Sequence, residues 1–223
     1  MLKLDLHLHS QYSDDAKGSP TEIIKSLKKK GLHGMAITDH NAIEGSLKAL
    51  KIAPKDFTVV PGVEISTADG HILALDVKQN FPRNLSVEMT VERIIEAGGI
   101  AIVPHLFRNM SGIKTTNLKN IHKKIPAIEV FNACSLPKTN IKTVKVAREF
   151  NLGGIGGSDS HDPLYAGYAY TTVDTTDVTV DAIISEINKK KTWGEGITMP
   201  VDYRRDRMLK SLKQFFKRGF KRI

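Results

Sequence analysis

The chain has 223 residues, 40% of them hydrophobic and 26% charged, which is apolar enough to bury a substantial core and excludes disorder as the main state. Its apolar runs are all shorter than a membrane span, and Met1 to Asp5 leads directly into a strand, so neither a transmembrane segment nor a secretion leader is expected. A single cysteine, Cys134, excludes an internal disulfide framework and a cysteine-rich zinc site, fits a reducing cytoplasm, and leaves His, Asp and Glu as the ligands available to a metal.

Strand candidates in chain order are 4–8, 34–38, 57–65, 72–77, 100–104, 127–131, 153–156 and 167–173. Amphipathic helix patterns alternate with them, as expected of parallel β/α units and an α/β fold. Ser19-Pro20-Thr21-Glu22 has the form of a capping box with proline at the first helical position, and Gly31 ends the helix it opens. Further helices are expected over 86–97, 139–150 and 179–190. One domain is expected to about Val201, followed by a basic appendage over 202–223. The net charge of +9 lies mostly there, because from Arg204 to Ile223 nine basic residues face one acid, Asp206.

The chemistry-bearing residues fall after these strands. His7 and His9 are two apart on the first strand, so period-two geometry turns both imidazoles to one side, where they can pinch one ion. Asp14, Asp39-His40, Glu64, His71, His105, Asp159 and His161 follow in order. Nearly all stand past the C-terminal end of a strand, the face of a β/α barrel where catalytic groups converge. A lone histidine in such a place is an ordinary structural residue; nine metal-competent side chains in series, Asp39 set aside, are not. His33 and His122 fall outside the set and read as surface residues, and Asp15 reads as a solvated loop acid.

These motifs, His7-Leu8-His9-Ser10 with Asp14, Thr38-Asp39-His40-Asn41, Gly62-Val63-Glu64-Ile65-Ser66 with Gly70-His71, and Gly157-Ser158-Asp159-Ser160-His161, resemble those of the PHP family, named for polymerase and histidinol phosphatase. His105 stands in a similar place between the third and fourth. The resemblance implies a distorted (β/α)7 barrel with two or three divalent ions at its C-terminal face. It assigns one ion to His7, His9, Glu64 and Asp159. A second shares Glu64 and adds His71 and His105, and a third takes Asp14, His40 and His161. Imidazole and carboxylate donors suit Mn²⁺, Zn²⁺ or Fe²⁺. A bridging carboxylate such as Glu64 can hold two ions that together activate a water as nucleophile.

The expected activity is hydrolysis of a small phosphomonoester or nucleotide, with Glu64, Asp159 and His161 central to the chemistry and Asp39 orienting a ligand. Arg108, three residues past His105, is a candidate phosphate clamp, and Asn132 a second substrate contact. Leu209, Leu212, Phe215, Phe216 and Phe220 recur at helical spacing among lysines. A basic amphipathic helix whose apolar stripe docks on the core is expected from them. The same segment leaves room for nucleic acid, and hence for two alternatives: a nuclease acting on RNA or DNA ends, and a non-catalytic metal-binding module.

Overall fold

The computed structural model describes residues 1–217. In chain order the elements are β1 (Leu2–Leu8), α1 (Pro20–Lys29), β2 (Gly34–Ile37), α2 (Glu44–Ile52), β3 (Thr58–Val59), β4 (Gly62–Ser66), β5 (His71–Leu75), α3 (Val87–Glu96), β6 (Ile100–Val103), α4 (Thr115–Ile121), β7 (Ala127–Asn132), α5 (Pro137–Glu149), β8 (Gly153–Gly157), β9 (Ala169–Val173), α6 (Val180–Asn188), β10 (Thr192–Gly196) and α7 (Val201–Lys217). The fold is mixed α/β with two five-stranded sheets, ordered β10-β9-β1-β2-β3 and β4-β5-β6-β7-β8.

The capping box forms as read: the Ser19 hydroxyl accepts from the Glu22 amide, and the Glu22 carboxylate accepts from the Ser19 amide at 2.7 Å. This fixes the start of α1, which buries Ile23, Ile24 and Leu27. The expected strand over 57–65 is divided instead. Pro61, which has no amide to give a ladder, separates β3 from β4, and the two belong to different sheets. Three elements had no strong sequence signal. Helix α2 lacks a side-chain cap, α4 spans only seven residues, and β10 carries the glycines Gly194 and Gly196. Gly194 is required where β10 crosses β8, because a Cβ there would collide with the Ile155 carbonyl.

Leu2, Leu4 and Leu6 of β1 share one interior cluster with Leu73 and Leu75 of β5, Ile102 of β6, Ile155 of β8 and Ile183 of α6. Both sheets therefore close over one apolar filling. At its upper end they also exchange backbone hydrogen bonds, Asp159 N–H to the His7 carbonyl and His9 N–H to the Ser160 carbonyl on one seam, Glu64 N–H to the Asp39 carbonyl and Asn41 N–H to the Glu64 carbonyl on the other.

Two irregularities aim the strands at this end. The register of β1 against β2 shifts between Asp5 and Leu8, so that Leu6 faces the interior while Leu8 packs with Ile23 and Ile37 on the other side. Strict alternation would have set His7 opposite Leu6; the bulge lets both point inward. The register of β7 against β8 shifts likewise between Glu129 and Phe131, bringing Glu129 and Asn132, three residues apart, to within 3.0 Å.

Candidate metal centre

Where β1, β2, β4, β6 and β8 end and the antiparallel β5 begins, six histidines converge. Glu64, on β4, lies at their centre and is buried. Its Oε1 is 2.8 Å from His71 Nδ1 and 3.1 Å from His105 Nε2. Its Oε2 is 3.0 Å from His40 Nδ1, 3.3 Å from His9 Nε2 and 3.5 Å from His7 Nε2. Asp159 Oδ1 closes the other side, 3.3 Å from His9 Nε2 and 3.7 Å from His7 Nε2. Both His105 and Asp159 have positive φ, 28° and 52°, a backbone state that non-glycine residues adopt rarely and that is concentrated at functional sites.

The donor atoms do not satisfy one another. His7 Nε2, His9 Nε2, His40 Nδ1, Glu64 Oε2 and His161 Nε2 are buried without a hydrogen-bond partner. The tautomers explain this. His7 Nδ1 lies 2.9 Å from the Glu129 carboxylate, and His161 Nδ1 lies 3.0 Å from the Asp159 carbonyl. Both partners accept only, so each Nδ1 carries the proton and each Nε2 turns a lone pair toward carboxylate oxygen. Acceptor facing acceptor in a dry site requires a cation between them, so the donor set fits divalent metal. Four groups of three donors meet this condition: His7, His9 and Glu64; His7, His105 and Asp159; His40, Glu64 and His71; and His9, His40 and His161.

The electrostatics agree. Burial would raise the Glu64 carboxyl, but His71, His40 and His7 outweigh it and hold it well below the usual carboxylate range. Asp159 is held down the same way, against burial, by Arg108 and His7. Burial pushes His9 well below the ordinary imidazole value, reinforced by His161 and His40, and lowers His105 to about 4, reinforced by Arg108. Neutral imidazoles beside ionised carboxylates are what metal coordination needs. His7 and His40 run the other way, raised against burial by the acids they face, Glu129, Asp159 and Glu64 for His7 and Glu64 and Asp15 for His40, which marks the negative field a cation would enter.

Two adjacent acids stand differently from the expectation. Asp14 is exposed, whereas Asp15, read from sequence as a solvated loop acid, is 3% exposed. Asp15 Oδ2 lies 3.2 Å from His161 Nε2 and 3.9 Å from His40 Nε2. Hydrogen bonds from Ser13 N–H to the Ser10 carbonyl and from Ala16 N–H to the Ser13 carbonyl coil this loop and turn the second aspartate inward. Helix α7 reinforces the choice, since Arg207 Nη2 lies 3.1 Å from Asp15 Oδ2 and Lys210 Nζ donates to the Asp15 carbonyl at 2.8 Å.

Asp39 stands one step back. It accepts from Ser10 N–H at 2.6 Å and from the Ser13 hydroxyl at 3.0 Å, and that hydroxyl accepts from His40 N–H at 2.9 Å and sits 3.4 Å from His9 Nδ1. Arg108 pairs with Asp159 and donates to Asn132 Oδ1 at 2.9 Å. Asn132 is wholly buried and also donates to Glu129 and Asp159, so it braces acids and has no free donor for substrate. Glu129 was the most informative residue outside the expected set. It binds His7 Nδ1 through Oε1 and accepts from His105 N–H through Oε2 at 2.8 Å. An acid between Ile128 and Val130 in a buried strand was the available signal. His33 is exposed as read; His122 is half-buried against Phe150, ring centroids 5.1 Å apart.

The expected core-docking of the C-terminal stripe does not occur among the described residues: Leu209 and Leu212 are 46% and 38% exposed, and Phe216 is exposed as well. The helix docks by its other face. Phe220 and Lys221 lie outside the described residues.

The family model described as PHP domain matches residues 5–134. The chain belongs to the PHP family of metal-dependent phosphoesterases. A second model, described as PHP-associated, covers 137–192. An uncharacterised protein of Methanocaldococcus jannaschii is 38% identical over 144 residues, 59% of this chain and 82% of that protein. A 5'-3' exoribonuclease of Haemophilus influenzae is 33% identical over 106 residues, 45% of this chain and 38% of the relative. Among solved structures, a two-domain protein of Bacteroides vulgatus containing a predicted PHP-like metal-dependent phosphoesterase superposes with a TM-score of 0.76 at 18% identity, over 88% of this chain and 65% of that one. That likeness is one of fold. No helix among the described residues is long and apolar enough to cross a membrane.

Proposed function

We propose that this PHP protein hydrolyses phosphomonoesters of small molecules or nucleotides at a trinuclear site. His7, His9, Glu64 and Asp159 would hold one divalent ion, Glu64, His71 and His105 a second, and Asp15, His40 and His161 a third, with Mn²⁺, Zn²⁺ or Fe²⁺ as the metals. When bound, such ions polarise phosphate oxygens and supply hydroxide near neutral pH. The chain's own part is positional. Glu64 bridges, Glu129 fixes the His7 tautomer, Asp39 orients His9 and His40 through Ser13, and Arg108 leaves Asp159 to clamp a phosphate oxygen. The observation that carries this reading is the set of buried imidazole and carboxylate lone pairs aimed at one another without protons to share. The scaffold is read as a distorted seven-stranded barrel of β1, β2 and β4 to β8, supported by the two seams and the shared interior. The single cysteine supports a cytoplasmic location.

Metal analysis of the purified chain, with phosphate release measured on sugar phosphates, histidinol phosphate, mononucleotides and short oligonucleotides, tests the proposal. His7→Ala and Asp159→Ala should lose both metal and turnover; release unaffected by both substitutions rejects the site. A nuclease reading is favoured by the exoribonuclease relative and by the nine basic residues against one acid over 204–223. Turnover of oligonucleotide ends well above that of any small ester would select it.

A further inference from the structure

Helix α7 is docked inside out. Its polar face meets the protein: the Tyr203 ring packs on Tyr165 with centroids 4.1 Å apart, the Tyr203 hydroxyl accepts from His161 N–H at 3.3 Å, Arg204 reaches the Ser135 carbonyl, and Arg207 and Lys210 hold Asp15. At helical spacing the opposite face carries Val201, Met208, Leu209 and Leu212, which are 72%, 57%, 46% and 38% exposed. Lys213 and Lys217 flank this stripe and are exposed, while Arg205, within it, pairs with Asp206 at 3.2 Å. A soluble body gains nothing from turning a leucine row outward on a helix that already has a charged face to offer to water.

We infer that α7 is a docking element for an anionic lipid surface, lying in the headgroup plane with its apolar stripe submerged and its flanking cations among the lipid phosphates. Charge decides among the occupants. A second copy meeting stripe to stripe would bring together two segments that each carry nine basic residues against one acid over 204–223. Nucleic acid seeks cations, yet Arg207 and Lys210 are committed to Asp15 and the outward stripe is apolar. An anionic bilayer satisfies both halves of the pattern, because the acyl boundary takes Met208, Leu209 and Leu212 while Lys213 and Lys217 reach up to headgroups. The helix need not undock to bind, since the protein holds only its other face.

The test is flotation of the full chain with vesicles of phosphatidylcholine alone and of phosphatidylcholine mixed with phosphatidylglycerol, at low and high salt. Binding should be at least about tenfold stronger to the anionic vesicles at low salt and should fall at high salt. Leu209→Ser with Leu212→Ser should weaken it by about tenfold or more, and Lys213→Glu with Lys217→Glu should abolish the preference for anionic lipid. All four positions are exposed, and unchanged circular dichroism and phosphate release confirm the fold. Failure to float, equal binding to both vesicle types, or undiminished binding by the leucine variant overturns the inference. So does a leucine-dependent dimer, or retention on oligonucleotide, that appears in place of lipid binding.

Discussion

Replacing Asp15 and Asp14 separately by asparagine distinguishes two adjacent acids whose burial is the reverse of the order that sequence alone suggests. Asp15 Oδ2 faces Arg207 at 3.1 Å and His161 at 3.2 Å in a buried setting, whereas Asp14 is exposed. An amide at position 15 keeps the shape but not the charge, so the Arg207 guanidinium loses its anion. A charge-assisted hydrogen bond of this kind contributes roughly 1.5–3 kcal/mol. Arg207 is still 20% exposed and regains some hydration, so a loss of about 2 kcal/mol is expected, a Tm decrease of roughly 4–8 °C for a chain of this size. Asp14→Asn should stay within about 0.5 kcal/mol of the parent. Metal content should fall by about one ion per chain in the Asp15 variant only, because a charged ligand is lost. There is also a pH signature. Against the pull of burial, His161, His40 and Arg207 hold the Asp15 carboxyl far below the ordinary range. Asp15 therefore contributes stability above its unfolded pKa of about 3.9, and that contribution is lost as pH falls toward the folded value, when the unfolded chain binds the proton first. Thermal unfolding of the metal-free proteins between neutral pH and pH 3, with metal analysis of the loaded ones, measures each quantity. If Asp14→Asn removes the ion and Asp15→Asn does not, the reasoning fails.

Three further outcomes follow from the same geometry. Glu129→Gln should bind metal roughly 10–100-fold more weakly, because the charge behind His7 is lost and one amide oxygen replaces two carboxylate oxygens that face His7 Nδ1, His105 N–H and the Asn132 amide; titration calorimetry reads this, and unchanged affinity would remove Glu129 from the site. Gly157→Ala should destabilise by about 1–3 kcal/mol and reduce metal content, since the added Cβ would collide with the His7 Cβ and crowd Glu129; thermal unfolding checks it, and a neutral result would mean that β1 and β8 have slack. Asp5 is wholly buried, and burial outweighs its hydrogen bonds from Ser158, Gly167 and His7 to raise its carboxyl from 3.8 to about 6. Between those values the folded chain keeps a proton that the unfolded chain has released, so the stability contributed by this acid falls as pH rises through the window. A carboxyl-carbon NMR titration of Asp5 with a midpoint near 3.8 would contradict that.

Much of the centre was legible because its chemistry is carried by residue type and order. His7 and Glu64 lie within β1 and β4, His9, His40, His105, Asp159 and His161 follow strands, and His71 opens the antiparallel β5, so all reach the same end of strands that share one interior. Glu129 was less legible, since a single acid in an apolar strand reads either as pointing inward to a site or as a structural strand acid. The tail was misread for a related reason. Helical spacing identifies an apolar stripe but does not say which way it faces, and α7 gains more from committing Tyr203, Arg207 and Lys210 to the site than from burying its leucines.

By itself the sequence determined the donors, their order along the chain and the strand ends that carry them, because covalent order and local propensity are properties of short segments. Only the tertiary structure decided which of Asp14 and Asp15 turns inward, that the β1 bulge lets Leu6 and His7 face the same side, and that α7 points its apolar residues outward. Each of those is a choice between nearly equivalent local conformations. Contacts from segments more than a hundred residues away, Arg207 on Asp15 and Gly157 against His7, tip the balance.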